Sequence, residues 1–194
     1  MSFKAIIFDV DGTLAETEDL HRKAFNKTFK NRNLKWYWDS KTYKELLKVT
    51  GGKKRITHFV KSASDMTCDL SQEEIISIHQ EKTEHYLEYL ANSRLQLRPG
   101  VASVIEKARS RDIKLAIATA TRLINVKALV KSILKVSVDD IFDTVVTSED
   151  VKNNKPSPEI YHLSLQKLQI KAEHCIAIED SLNGLLAANG AGIK

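Results

Sequence analysis

Lys4-Ala-Ile-Ile-Phe-Asp9-Val-Asp-Gly-Thr13 is a short continuous apolar run that ends on two aspartates and a glycine. Such a run suits a strand buried on both faces of a parallel sheet. Side chains alternate along extended backbone, so Asp9 and Asp11 project the same way, and Gly12 lets the chain turn at once. Three similar runs follow, at Lys114-Leu-Ala-Ile-Ala-Thr119, Phe142-Asp-Thr-Val-Val-Thr147 and His174-Cys-Ile-Ala-Ile-Glu179. Helical patterns lie between them, at 101–111, 122–133 and 157–168. Strand and helix alternating at this spacing predict an α/β fold with a parallel sheet.

Residues 16–97 break that rhythm with helical patterns at 18–32, 40–49, 52–63 and 71–91. Ser71-Gln-Glu-Glu74 is a capping box for the last of these, and Arg98-Pro-Gly100 punctuates the return to alternation. The expected organisation is a core of residues 1–15 and 98–194 interrupted by an all-helical insertion of 16–97. Trp36-Tyr37-Trp38 lies between two helical patterns and is expected to seal a helical core. It lacks the interleaved cations of a base-stacking surface, so no nucleic-acid partner is expected.

With 194 residues, 42% hydrophobic and 28% charged, the chain can bury a core without disulfides or a structural metal. Only 7 glycines and 3 prolines exclude collagen-like and low-complexity classes. Residues 1–10 are too short in apolar length and too soon acidic for a signal peptide, and no run suits a membrane span. Cys68 and Cys175 form no CxxC pair, which fits reduced thiols and a cytoplasmic chain. The net charge of +5 is compatible with nucleic acid or a phosphorylated small molecule alike.

Four segments close the four expected strands, at the edge where open α/β sheets bind ligands. The pair Asp9 and Asp11 is the most specific. Thr119-Ala120-Thr121-Arg122 sets a hydroxyl and backbone N–H groups at a strand–helix junction, which suits a phosphate oxygen or an ordinary helix cap. Lys155-Pro-Ser-Pro158 fixes a cation before a helix, either a point charge for phosphate or an exposed loop lysine. Glu179-Asp180-Ser181 offers carboxylates to a hard cation such as Mg²⁺, or caps the next helix.

In this order the segments resemble the four motifs of the haloacid dehalogenase superfamily of aspartate-nucleophile phosphotransferases, across essentially the whole chain. The resemblance implies a Rossmann-like core with an inserted helical cap. It makes Asp9 the nucleophile, Asp11 the general acid/base, and Thr119 and Lys155 the holders of the transferring phosphoryl group. Asp9, Asp180 and the Asp11 carbonyl would hold Mg²⁺, with Glu179 a ligand or acting through a bound water. A dianionic phosphate repels an attacking carboxylate, and a divalent cation with Lys155 would offset that.

Asp9 to Thr17, His21-Arg22, Trp38-Asp39, Thr50-Gly-Gly-Lys53 and Leu97-Arg-Pro-Gly100 are similar to the CbbY group, xylulose-1,5-bisphosphate phosphatases. That likeness implies a sugar-phosphate substrate read by Glu16, His21, Gly52, Lys53, Lys54, Arg55, Lys82, Ala120 and Arg122. The glycines and cations of 50–55 suit a second, non-reacting phosphate, or make a solvated turn with surface charge. His79, Lys82 and Tyr86 share a helix face, whereas His85 is expected at the surface and His58 and His174 as structural. The alternatives are a β-phosphoglucomutase-like transferase, with Thr13 favouring hydrolysis, and a non-catalytic sugar-phosphate binder. The last arises because the resemblance implies one more strand–helix unit after Gly190-Ala-Gly-Ile-Lys194. A bare strand edge would then be left, and the chain is expected to be monomeric unless a partner covers it.

Overall fold

The computed structural model describes residues 3–62 and 70–194, which form two compact units, one ending at Thr17 and resuming at Arg94, the other lying between Glu18 and Ser93. Cys68 lies outside the described residues. The divisions fall after Thr17 and before Arg94, so Glu16, Thr17 and residues 94–97, placed in the insertion from the sequence, belong to the α/β unit. No helix among the described residues is long and apolar enough to cross a membrane.

The α/β unit holds four strands, β1 (Ala5–Phe8), β2 (Lys114–Ala118), β3 (Thr144–Val146) and β4 (Cys175–Ile178), all parallel. Their order is β3-β2-β1-β4, with Ala5 beside both Lys114 and Cys175. The apolar runs become strands because helices cover the sheet, leaving Ala5, Ile7, Phe8 and Ala116 to Ala118 without solvent contact.

Including the helices of both units, chain order gives α1 (Glu18–Asn31), α2 (Ser40–Leu46), α3 (Gly52–Ser62) and α4 (Gln72–Ala91) in the helical unit. In the α/β unit follow α5 (Val101–Arg109), α6 (Leu123–Leu134), α7 (Glu159–Leu168) and α8 (Leu182–Gly190). Pro99 and the left-handed Gly100 (φ 89°) turn the chain into α5. A core of Ile7, Val146, Ile160, Tyr161, Cys175 and Ala187 joins α7 and α8 to the sheet. At the β4 edge the Lys194 carbonyl accepts the Ala177 N–H at 2.8 Å, with Ala191 and Ile193 buried, so the edge is less bare than expected.

The helical unit is built on aromatic packing. Trp38 has no solvent contact, and its ring centre lies 4.6 Å from Phe25, 4.9 Å from Phe29 and 5.3 Å from Phe59. Asn26 pins the Trp38 backbone to α1 through two hydrogen bonds of 2.8 Å. Trp36 is buried too, but Tyr37 is 70% exposed, so only the two tryptophans seal this core. The Ser71–Glu74 capping box starts α4.

Candidate active site

β1 is flanked by β2, which follows it in the chain, and by β4, which arrives from the other side. The chain winds from β1 through β2 to β3 on one side and then crosses to β4 on the other, and the crevice at the carboxyl ends of β1 and β4, where the winding reverses, is where such sheets bind ligands. Asp9 follows β1, Thr119 follows β2, and Glu179 and Asp180 follow β4.

Lys155 reaches this crevice from the loop before α7. Its ammonium donates to Asp9 Oδ1 at 2.8 Å, to the Ala118 carbonyl at 2.8 Å, and to Glu179 Oε1. The Lys155 and Glu179 side chains are out of solvent, and Asp9 is nearly so. Burial opposes the Lys155 charge, but Asp9 and Glu179 outweigh it and hold the ammonium above its usual range. Burial pushes the Asp9 carboxyl up to about 7 against the pull of Lys155, with Glu179 and Asp11 adding to the rise. Burial raises Asp180 as well.

The loop after Asp9 is tightly tied. Gly12 has φ 82°, and a Cβ there would stand 2.1 Å from Asp180 Oδ2, so only glycine lets the loop after Asp9 and Asp180 come this close. Thr13 Oγ1 donates to Asp180 Oδ1 at 3.4 Å. The Asp11 carboxylate accepts the Thr17 hydroxyl at 2.5 Å. Arg98 donates to the Gly12 carbonyl at 2.5 Å and to the Glu16 carboxylate, and its own N–H bonds the Leu14 carbonyl at 2.8 Å. Glu16 is thereby attached to the α/β unit through Arg98.

Thr119 is buried, and its hydroxyl accepts the Thr121 N–H at 3.3 Å; Ala120 is half-buried beside it. Arg122 is not a free cation. Its Nε donates to Glu149 Oε1 at 3.0 Å, while Glu149 Oε2 accepts the Leu123 N–H at 2.9 Å and so caps α6. Glu159 fixes the loop that carries Lys155, accepting the N–H groups of Lys152 and Asn153 at 2.7 and 2.9 Å.

The remaining expected residues lie in the helical unit. Arg55 is buried, donating to the Leu46 carbonyl and the Tyr43 hydroxyl at 3.0 Å each. Lys53 and Lys54 are exposed. Gly52 lies against His79, whose Nε2 would be 2.5 Å from a Cβ. Lys82 is buried, with Nζ 2.7 Å from His21 Nδ1 and 4.9 Å from the Phe25 ring centre, and His21 stacks on Tyr86 at 3.9 Å. His85 is half-buried rather than at the surface, 3.0 Å from Asn31; His58 is exposed and His174 half-buried.

Asp9, Glu179 and Asp180 each offer an oxygen, and these atoms lie within 4.8 Å of one another. The Asp11 carboxylate lies outside this group of three. The single charge of Lys155 balances only one of the three carboxylate charges, and Glu179 Oε2 is buried with no hydrogen-bond partner among the described residues. Buried negative charge in excess and an orphan oxygen fit a hard divalent cation. Sequence reading missed Thr17, Arg98, Glu159 and Tyr161, whose hydroxyl donates to Glu179 Oε1 at 2.5 Å. A tyrosine on the buried side of a helix needs a partner for its hydroxyl, and that was the one available signal.

Residues 3–192 match the family profile of haloacid dehalogenase-like hydrolases. The chain is 46% identical over 191 residues to protein CbbY of Cereibacter sphaeroides, covering 98% of this chain and 82% of the relative. It is 31% identical over 193 residues to a phosphorylated carbohydrates phosphatase of Thermotoga maritima, covering 98% and 82%. A crystal structure of a CbbY variant from Rhodobacter sphaeroides in complex with xylulose-(1,5)bisphosphate aligns with a TM-score of 0.93 at 45% identity, covering 99% and 84%.

Proposed function

Since the chain belongs to the haloacid dehalogenase-like hydrolase family and is a phosphatase, we propose that it hydrolyses a sugar phosphate through an aspartyl-phosphate on Asp9. Its resident cation is Mg²⁺, and its substrate is a pentose bisphosphate, with xylulose 1,5-bisphosphate the specific candidate. The observation that carries the chemistry is the buried set of Asp9, Lys155, Glu179 and Asp180, with one carboxylate oxygen left free. The substrate rests on the likeness to a relative whose structure holds xylulose bisphosphate.

Asp9 attacks phosphorus, and the P–O bond to the sugar breaks with its electron pair leaving on the alkoxide. Asp11, carrying a proton, gives it to that alkoxide. The same carboxylate then takes a proton from water as the water attacks the acyl phosphate, releasing inorganic phosphate and restoring Asp9. The Thr17 hydroxyl bonded to Asp11 orients that carboxyl. Lys155 and Thr119 hold the transferring phosphoryl oxygens. Asp9, Asp180, Glu179 and the Asp11 carbonyl would hold Mg²⁺, which when bound neutralises charge between nucleophile and phosphate.

Glu16, held by Arg98, reads sugar hydroxyls, and Ala120 lines the phosphoryl pocket through its backbone. In the helical unit His21, Gly52, Lys53, Lys54, Arg55 and Lys82 read the non-reacting phosphate and the sugar. Phosphate release should be measured on xylulose and ribulose bisphosphates, glucose 1- and 6-phosphates and phosphoglycolate, with and without Mg²⁺. Turnover that survives Asp9→Asn removes the mechanism, and equal turnover of monophosphates removes the bisphosphate assignment.

A further inference from the structure

We propose that Tyr161 is a positioning residue for the cation site. Its hydroxyl holds Glu179 so that one carboxylate oxygen serves protein donors and the other stays available to the metal ion or to a water on it. The inference rests on the reading of Asp9, Glu179 and Asp180 as the Mg²⁺ site. Tyr161 lies in the first turn of α7 with no solvent contact. Its hydroxyl donates to Glu179 Oε1 at 2.5 Å, and the Lys155 ammonium bonds the same oxygen. Glu179 Oε2, equally buried, has no hydrogen-bond partner among the described residues.

A buried carboxylate oxygen without a partner is costly and rare. Rotation about the last side-chain bond would exchange the two oxygens, and something has to choose between them. Lys155 is poorly suited to do so alone. Its three N–H bonds already go to Asp9, the Ala118 carbonyl and Glu179, and an ammonium on a four-carbon stem is a point charge of weak directionality. The Tyr161 hydroxyl sits on a rigid ring packed in the core beneath Lys155, whose Nζ is 5.4 Å from the ring centre. Two donors converging on Oε1 lock the carboxylate. On the far side, a Cβ at Gly184 would stand 1.9 Å from Oε2, so α8 leaves that oxygen space only because residue 184 has no side chain.

Tyr161→Phe keeps the ring, its packing and its contact with Lys155, and removes only the hydrogen bond. The test is calorimetric titration of metal-free protein with Mg²⁺ for wild type, Tyr161→Phe and Asp180→Asn, beside thermal melts in EDTA. Loss of a partner that orients a metal-binding carboxylate typically weakens metal affinity about 10- to 100-fold. Tyr161→Phe is therefore expected to weaken Mg²⁺ binding by roughly tenfold, and the Mg²⁺ needed for half-maximal turnover should rise by the same factor. Melting in EDTA should move by no more than about 4 °C, the effect of roughly one lost hydrogen bond in a chain of this size. Unchanged Mg²⁺ affinity in Tyr161→Phe, with binding lost in Asp180→Asn, overturns the positioning role alone. Wild-type affinity in Asp180→Asn overturns the cation site and this inference with it. A lower melting point without any change in Mg²⁺ affinity marks Tyr161 as a packing residue only and also overturns the proposal.

Discussion

Replacing Lys155 by methionine removes one buried charge and keeps most of the side chain's length. The ammonium sits 2.8 Å from Asp9 and is also bonded to Glu179, with both partners nearly or fully out of water. Without it Asp9, already pushed up to about 7, takes a proton. Glu179 is then left as a buried carboxylate facing only the Tyr161 hydroxyl, the situation that costs about 3–5 kcal/mol when a buried pair loses one member. A chain of this size loses roughly 2–4 °C of melting temperature per kcal/mol. Lys155→Met in EDTA should therefore melt about 6–20 °C below wild type at pH 8. The assay is a pair of melts followed by scanning calorimetry, with phosphate release measured at saturating Mg²⁺. Turnover should fall by roughly 10²–10³, the usual effect of removing one preorganised group from developing negative charge. Melting within about 2 °C of wild type at pH 8 would refute the reasoning.

The wild-type pH profile carries its own sign. Asp9 is raised from 3.8 to about 7, so its contribution to stability is fully present below about pH 4 and is lost as pH rises through about 7. This amounts to about 4 kcal/mol in the metal-free protein, and Asp9→Asn should flatten that part of the melting profile in EDTA. Gly12→Ala would drive a Cβ to 2.1 Å from Asp180 Oδ2 at a left-handed φ. Melting should fall by about 2–8 °C, from roughly 1–2 kcal/mol of backbone strain, and calorimetry should show Mg²⁺ binding lost. Among the helical-unit cations, Lys53→Ala and Lys54→Ala should each raise KM for a bisphosphate about three- to tenfold while leaving the melting point unchanged. Arg55→Ala should raise KM and also lower the melting point, because that guanidinium is buried on Leu46 and Tyr43.

The fold was legible wherever one physical demand decided a whole segment. A strand covered on both faces must be apolar throughout, and all four runs named from the sequence are strands of one parallel sheet. Asp9, Thr119, Glu179 and Asp180 follow the ends of three adjacent strands, so sequence position alone brought them to one edge. Side-chain pairing was not legible, because it depends on distances across the sheet. Arg122 is expected from the likeness to read substrate, yet it is paired with Glu149, 27 residues later. Nothing local links Tyr161 to Glu179 or Arg98 to Gly12, separated by 18 and 86 residues. Their place between two helical patterns assigned Trp36, Tyr37 and Trp38 to one core, but alternation along the loop sends the middle ring outward.

The pairings also bear on the order of events at the site. Each N–H of Lys155 already has an acceptor, two of them carboxylates. For Lys155 to grip a phosphoryl oxygen, one of those bonds has to be released. Giving up Asp9 or Glu179 would expose buried negative charge to an incoming dianion, an arrangement that low local dielectric makes costly. On the function proposed above, a divalent cation held by Asp9, Glu179 and Asp180 would remove that cost by supplying the neutralisation that the ammonium gives in this arrangement. Lys155 would then be free to turn toward the substrate. Cation and phosphate binding would be coupled, each favouring the other by the same free energy, with Lys155 the residue whose partners change between the two states.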